Sequence, residues 1–353
     1  MLEINEELAR LTVDSRFSYC GQDHPFLTTL HNLAVTRLLS SLQAAEGNDK
    51  SQFLVPPATG NEDELPAITP IDPMDMIKKE GQLPPLPAVL LELQKVVQNE
   101  KSSAEDVAKV VRNDAGLSTF LLRLVNSAFY SFPARVDTVS RAVAMVGVRP
   151  LYLLSMGLLF QDMIRSIPKD SLSIANFWQH SIATGLAAQE IWKQMGQKEE
   201  ERLFTGGLLH DIGKLAMACM LPHVQDVYKY LDINVRRIPM HEAEKELLGF
   251  DHARFGAMLL RKWNMPASLA MPVLWHHHPQ GAAHYKEPIV VHLADIVANA
   301  LGYSCIPGEV IPKLDGSAWE ISGLNQDHVQ IIVEAVENRL HEVTAVFVDP
   351  NLN

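Results

Sequence analysis

The stretch GLSTFLLRLV, residues 116–125, decides the fold class of this chain. Its apolar residues follow the spacing i, i+3, i+4, i+7, i+8, which places them on one face of an α-helix. These residues are Leu117, Phe120, Leu121, Leu124 and Val125. A strand would instead alternate apolar and polar residues. The stretch therefore predicts a buried helix that packs against other helices.

The flanking sequence repeats this pattern in short units. Ser103 followed by Asp106 resembles a capping box in front of a face of valines. A second apolar helical face ends at Gly147, and Arg149-Pro150 begins another helix, because proline is tolerated in a first helical turn. No strand-like alternation precedes the C-terminal tail. The sequence thus predicts an all-α fold.

The composition is that of a globular protein with an acidic N-terminal part. Of 353 residues, 47% are hydrophobic and 20% charged, and the formal net charge is -12. Proteins that coat nucleic acid need a surplus of Lys and Arg, so the charge argues against a nucleic-acid partner. Residues 1–80 contain 13 Asp+Glu and 6 Lys+Arg. The rest of the chain is therefore nearly balanced in charge.

The cysteines and the apolar runs of the sequence indicate the cellular compartment of the protein. The three cysteines, Cys20, Cys219 and Cys305, are widely spaced without a CxxC pair, so neither a disulfide framework nor a thiolate zinc site is indicated. The N-terminus carries acids and no long apolar stretch, unlike a signal peptide. The longest apolar run, 151–160, is far shorter than the about 18 residues that a membrane span needs. We expect a cytoplasmic protein without membrane insertion.

Proline, glycine and charge divide the chain into successive parts. The predicted parts are an N-terminal segment with helical spacing (1–43), an acidic Pro-rich linker (44–74), a first helical lobe (75–170), a second helical lobe (171–305) and a C-terminal extension (306–353).

Histidine is concentrated in the second lobe. Ten of the 14 histidines lie between His180 and His292, and the centre of this region is LLHDIGK, residues 208–214. Adjacent side chains on a helix diverge by about 100°, so His210 and Asp211 can reach one ion only at a helix end or a distorted turn. We expect the neighbouring glycines at 206, 207 and 213 to supply that freedom.

An imidazole beside a carboxylate offers a divalent cation one nitrogen and one oxygen ligand. Asp211 could also bridge to a second ion. Further ligands must come from elsewhere in the chain, and the candidates are His180, His252, His276, His277 and Asp295. The alternative is that His210 and Asp211 end a helix beside a core histidine, without any metal. Lys214 is either a clamp for a phosphate oxygen or a solvated helix residue.

The order and spacing of these residues resemble the HD phosphohydrolase superfamily. Several further motifs follow one another between Leu83 and Tyr303. They are LPPLPAVLLELQ, VVRNDAGLSTFLLRLVNSAFYSFP, AVAMVGVRPLYLL, LLHDIGKL, ELLGFDHARFGAMLLRKWNMP and HLADIVA. Together these motifs resemble the HDOD family of bacterial signalling proteins.

The resemblance implies a helical HDOD lobe followed by an HD-like lobe related to the HD-GYP phosphodiesterases. It also implies a mono- or dinuclear site for divalent metal, with iron or manganese as candidates. The implied ligands are His180, His210, Asp211, His252, His276, His277 and Asp295. The DGxGYP signature does not follow WHHH, so hydrolysis of cyclic di-GMP does not carry over. Asn176 stands where some trinuclear relatives have Glu, so a third metal is not expected.

Two hypotheses of function stay open at this stage. In the first, the chain is a signalling module that acts through contacts with protein partners, and its metal is structural or sensory. In the second, it is a metal-dependent phosphohydrolase of a nucleotide or cyclic dinucleotide, with Asp211 and Lys214 as catalytic residues. The HDOD resemblance favours the first hypothesis, and the retained ligands favour the second.

Overall fold

The structure, a computed structural model, describes most of the chain and consists of helices. It describes residues 2–44, 72–78, 87–99, 101–127, 129–130, 132–156, 172–198, 201–221, 224, 238–282, 284–306 and 308–347. Every regular element within these ranges is helical, so the prediction of an all-α fold is confirmed. Most of the predicted linker 44–74 and the end of the predicted first lobe, residues 157–170, lie outside the described residues.

The first half of the chain supplies eight described helices. They are α1 (Leu2–Arg16), α2 (Pro25–Ala44), α3 (Pro73–Lys78), α4 (Ala88–Gln98), α5 (Ala104–Arg112), α6 (Ala115–Val125), α7 (Val139–Val146) and α8 (Val148–Ser155). Helices α4 to α8, which lie within the predicted first lobe, pack on one another. The five apolar residues that predicted α6 are all buried, as expected. The Ser103–Asp106 capping box is also confirmed.

Asp114 caps the N-terminus of α6, where its Oδ1 accepts a hydrogen bond from the Leu117 N–H at 2.7 Å. Asp114→Ala leaves that N–H without its acceptor, so we expect the free energy of unfolding to fall by about 1 kcal/mol. Asp114→Asn keeps an acceptor oxygen and should stay close to the wild type. Urea unfolding measures both variants. An equal loss in both would show that this hydrogen bond is not the cause.

The second half contains nine described α-helices and one 3₁₀ turn. They are α9 (Ile174–Gln194), α10 (Glu201–Leu209), α11 (Ile212–Met220), α12 (Met240–Leu248), α13 (His252–Lys262), α14 (Ala267–Trp275), the 3₁₀ turn Pro279–Ala282, α15 (Lys286–Ala300), α16 (Gly316–Ser322) and α17 (Gln326–Phe347). Helix α9 is the axis of this lobe, since it packs against α10, α15 and α17 and is buried along most of its length.

The helices at both ends of the chain pack on the second lobe. Arg16 in α1 donates to the carbonyl of Ala300 at 3.2 Å, at the end of α15. Arg37 in α2 donates to the Leu301 carbonyl and forms an ion pair with Glu337 of α17 at 2.7 Å. The guanidinium groups therefore satisfy carbonyls that the end of α15 leaves without helical partners.

Aromatic side chains join the two lobes. Phe347, near the end of α17, lies with its ring centroid 5.1 Å from that of Phe120 in the first lobe and 5.1 Å from that of Trp178 in α9. Phe129 packs on Phe204 of α10 with a centroid distance of 4.3 Å. None of the helices within the described ranges has the length and apolarity that a bilayer crossing requires.

Candidate metal centre

The HD motif lies at the joint between two helices. His210 follows the last residue of α10, and Asp211 is the N-cap residue of α11 with φ -97° and ψ 13°. Both side chains are completely buried. The prediction that these neighbours need a helix end in order to face the same point is confirmed.

Two glycines around the motif, Gly207 and Gly213, lie where neighbouring helices are in close contact. A Cβ atom on Gly207 would lie 2.7 Å from the Cα atom of Gly185 in α9, and one on Gly213 would lie 1.9 Å from the carbonyl oxygen of His252. Gly206, Gly207 and Gly213 lie inside α10 and α11, and none has a positive φ. The predicted reason, backbone freedom, is therefore wrong. Gly207 and Gly213 allow neighbouring helices to approach, whereas a Cβ atom on Gly206 would make an ordinary contact at 3.7 Å with Val291.

The first cluster of polar side chains joins α9, the HD joint and α15. His180 Nε2 lies 3.2 Å from His210 Nε2, 3.3 Å from Asp211 Oδ2 and 3.3 Å from Asp295 Oδ1. His210 Nε2 lies 3.4 Å from Asp211 Oδ2 and 3.7 Å from Asp295 Oδ1. Two imidazoles and two carboxylates thus point toward a common centre.

The second cluster lies on the other side of Asp211. His252 Nε2, at the start of α13, lies 3.0 Å from Asp211 Oδ1 and 3.0 Å from His277 Nε2. His276, which follows α14, has its Nε2 atom 3.9 Å from Asp211 Oδ1. The two oxygens of Asp211 therefore face different clusters. The structure brings together all seven side chains that the sequence singled out, and their role as ligands stays a prediction.

Hydrogen bonds fix the orientation of the imidazoles. The Nδ1 atoms of His180, His210 and His276 lie 2.7, 2.6 and 2.8 Å from backbone carbonyl oxygens. A carbonyl oxygen only accepts, so each Nδ1 carries the hydrogen, and a neutral ring then presents the lone pair of Nε2 to the cluster. His252 Nδ1 has an equivalent partner in Glu244, whose Oε2 lies 2.5 Å away. Metal-binding histidines in proteins are held in this way.

Imidazole nitrogens and a carboxylate oxygen at the centre direct their lone pairs toward one another, as ligands of a cation do. Among the described residues, Asp211 Oδ1 and His276 Nε2 are buried and receive no hydrogen bond of acceptable geometry. The lone pairs of two neutral Nε2 atoms about 3 Å apart repel each other unless a proton or a cation lies between them. The combination of imidazole nitrogen and carboxylate oxygen therefore fits a divalent metal ion.

Burial keeps some of these imidazoles neutral. It lowers the pKa of His276 to about 3, with His210 and His252 adding to the effect. Burial also lowers the pKa of His210, and it holds that of His277 well below the ordinary value. Neutral imidazole is the form that binds metal.

Carboxylates have the opposite effect on the other two histidines. Although burial disfavours its charged form, the carboxylates of Asp211 and Asp295 raise the pKa of His180 to about 10. Burial also disfavours the charged form of His252, but Glu244 and Asp211 raise its pKa to about 10. Without a cation, protonated histidines thus balance the buried carboxylates. A bound cation would release these protons.

Lys214 is part of the cluster. Its Nζ lies 2.7 Å from Asp211 Oδ2 and 3.9 Å from Glu309 Oε1, and its side chain is only 5% exposed. Burial opposes its charged form, but the pKa of Lys214 is well above the ordinary value because Asp211 and Glu309 are close. The alternative that Lys214 is a solvated helix residue is therefore wrong.

The sequence did not predict that four further residues lie near the centre, namely Asn299, Glu244, Cys305 and Glu309. Asn299 donates to Asp295 Oδ1 at 2.7 Å, and its spacing of four residues from Asp295 on one helix was a usable signal. Glu244 lies on a different helix from His252, and Cys305 and Glu309 belong to the segment after α15. No periodic pattern connects these three residues to the ligands.

Histidines outside the two clusters support them. His292 lies with its Nδ1 2.7 Å from the His276 carbonyl oxygen, and its Nε2 accepts from the Asp315 N–H at 3.0 Å. The side chain of His292 is buried in the core. His241 stacks on His277 with ring centroids 3.8 Å apart. His278 Nε2 lies 2.9 Å from Lys245 Nζ.

We expect Glu244→Gln to weaken metal binding by about 10–100-fold, because the carboxylate that orients His252 and makes it more basic is lost. Glu246→Gln, an exposed position on the same helix, is the matched control and should bind as the wild type does. Competition titration with a metallochromic chelator measures both affinities. Equal affinities of the two variants would show that Glu244 does not contribute to metal binding.

Comparison with known proteins finds a matching family and solved structures with a similar fold. The family model described as the HDOD domain matches residues 83–279. A candidate phosphohydrolase from Shewanella amazonensis SB2B is 26% identical, with a TM-score of 0.60 over 77% of this chain and 98% of that one. An HDOD domain protein with unknown function from Geobacter sulfurreducens is 19% identical, with a TM-score of 0.61 over 78% of this chain and 95% of that one.

A curated relative is also similar in sequence. It is an uncharacterized protein of Treponema pallidum (strain Nichols), 28% identical over 214 residues. The match covers 60% of this chain and 41% of that protein, so the chain corresponds to less than half of its length.

Proposed function

Because this chain belongs to the HDOD family, we propose that it is a bacterial signalling protein whose second lobe holds one or two divalent cations and whose output passes through contacts with partner proteins. The observation that carries this proposal is the direct path from the histidine clusters to the other lobe. His210 follows the end of α10, and Phe204 of the same helix packs on Phe129 of the first lobe. Helix α8 also packs against α10.

The cation ligands are assigned by distance. The first cation would be held by His180, His210, Asp211 and Asp295, because the two imidazole nitrogens lie 3.2 Å apart and 3.3 to 3.7 Å from the carboxylate oxygens. A second would be held by His252, His276, His277 and the other oxygen of Asp211. The family resemblance makes iron or manganese the first metals to test. A cation in this position would restrain His210, and with it α10 and the surface that α10 presents to the first lobe.

The surroundings of Asp211 favour a structural or sensory cation. Its Oδ2 atom already contacts Lys214 Nζ at 2.7 Å, His180 Nε2 at 3.3 Å and Cys305 Sγ at 3.6 Å. Protein side chains thus enclose this carboxylate, and a substrate would reach it only after some of them move. Asp211 itself has no exposed surface.

The second candidate is a metal-dependent phosphohydrolase of a nucleotide or cyclic dinucleotide. The retention of the full ligand set favours it, and so does the 26% identity to a candidate phosphohydrolase. A bound divalent cation would supply Lewis-acid activation of a phosphoester and of water. Asp211 would hold the cations, and Lys214 would leave Asp211 in order to bind a phosphate oxygen.

One experiment separates these candidates. The protein is purified anaerobically and loaded with Fe(II) or Mn(II), and its metal content is measured. It is then screened against nucleotides and cyclic dinucleotides, with His210→Ala and Asp211→Ala as controls. The signalling proposal expects bound metal without turnover. Product that requires metal and disappears in both variants would overturn it in favour of the hydrolase. Protein that binds no metal would contradict both.

Hydrogen exchange tests the path through α10. Addition of metal should slow exchange in α10 and also in the first-lobe residues of α8, because a cation on His210 restrains both surfaces. Phe204→Leu should reduce the effect in α8 and leave metal binding intact. Protection confined to the second lobe of the wild type would contradict the proposed output.

A further inference from the structure

The thiol of Cys305 lies at the edge of the first cluster. Its Sγ is 3.6 Å from Asp211 Oδ2. The ligand atoms of Cys305, His180 and Asp211 all lie within 4.8 Å of one another, and all three residues are buried. Independently of the thiol, the same cluster brings His180 Nε2 within 3.2 Å of His210 Nε2, a contact that requires a proton or a cation between the two nitrogens.

The segment that carries Cys305 is firmly anchored. Gly302, with φ 85°, turns the chain after α15. The next residue, Tyr303, accepts from His180 through its carbonyl at 2.7 Å, and its hydroxyl receives a hydrogen bond from Arg37. The backbone that positions the thiol is therefore tied both to a predicted ligand and to α2.

The spacing around the thiol agrees with coordination. A tetrahedral zinc ion with Zn–S near 2.3 Å and Zn–O or Zn–N near 2.0–2.1 Å separates sulfur from oxygen by about 3.5 Å and nitrogen from oxygen by about 3.4 Å. The corresponding distances here are 3.6 Å from Cys305 to Asp211 and 3.3 Å from His180 to Asp211. Both distances are those expected between two ligands of one ion, and Cys305 Sγ also lies within 4.8 Å of a ring nitrogen of His180.

We propose that Cys305 is a sulfur ligand of the first cation. This inference rests on the proposed cation site. As the cation binds, the S–H proton leaves to solvent and a metal–sulfur bond forms, with no change of oxidation state. With His180, His210, Asp211 and Asp295 assigned to this cation, the thiolate would be a fifth protein ligand and would occupy a position open to water, which favours a structural or sensory ion. It would also favour zinc or Fe(II) over manganese, because thiolate is a soft ligand.

Cobalt(II) is the probe, since a thiolate ligand gives it a charge-transfer absorption in the near ultraviolet. The wild type, Cys305→Ser and Cys219→Ser are each loaded with cobalt, and binding is measured separately by metal analysis. Cys219 is the matched control because its thiol is half-buried on α11. We expect the band in the wild type and Cys219→Ser and its loss in Cys305→Ser, together with a fall in zinc affinity of at least about tenfold.

Each result decides a separate point. Cobalt that binds to the wild type without the band, or a band that persists in Cys305→Ser, would overturn the role of Cys305 and leave the histidine and aspartate site standing. A wild type that binds no cobalt, iron, manganese or zinc would overturn the site and the sulfur ligand together. If Cys305→Ser does not fold, X-ray absorption of the zinc-loaded wild type tests the same point. A sulfur shell near about 2.3 Å supports the proposal, and a shell of nitrogen and oxygen alone refutes it.

Discussion

Asp211→Asn should abolish metal binding at both histidine clusters. One oxygen of Asp211 faces His180 and His210, and the other faces His252 and His276. The amide of asparagine has no negative charge and offers only one oxygen, so the second cluster loses its only carboxylate and the first keeps that of Asp295 alone.

Metal analysis and thermal unfolding measure this effect. A cation at 100 times its dissociation constant stabilises the wild type by about 2.7 kcal/mol, and the variant should show no such gain. Asp327→Asn, at an exposed position on α17, is the control and should respond to metal as the wild type does. Metal retained at wild-type stoichiometry in Asp211→Asn would refute the shared role of this carboxylate.

Gly213→Ala should cost about 3 kcal/mol or more of unfolding free energy, at the upper end of the range for overpacked cores. The added methyl carbon would lie 1.9 Å from the His252 carbonyl oxygen and 2.9 Å from the Gly256 backbone nitrogen. Backbone atoms cannot rotate away as the end of a side chain can, so α11 and α13 must separate. That separation would also draw His252 away from Asp211.

The matched control for this substitution is Gly316→Ala, a helical glycine with no atom within 4 Å of the added carbon. This control should be neutral or slightly stabilising, because alanine has the higher helix propensity. Urea unfolding and a metal titration are carried out on both variants. If Gly213→Ala is as stable as the control, the close contact between α11 and α13 is not required by the fold.

Much of the architecture could be predicted from the chain because the signals are local. The apolar spacing in 116–125 depends only on the helical period, and α6 buries those residues as expected. The capping box at Ser103 likewise depends on residues within one turn. The candidate ligands were found through the histidine content of the second lobe and the order of several motifs, without any knowledge of distance.

The sequence by itself determined the helical fold, the membership of the family and the set of histidines and aspartates that are candidate ligands. Only the tertiary structure decided that Asp211 faces two clusters, that Gly213 is a packing residue, and that Lys214, Glu244 and Cys305 belong to the same centre. The physical reason is separation along the chain. Helical period and capping act within a few residues, whereas His180 and Cys305 are 125 positions apart and meet only because α15 packs along α9.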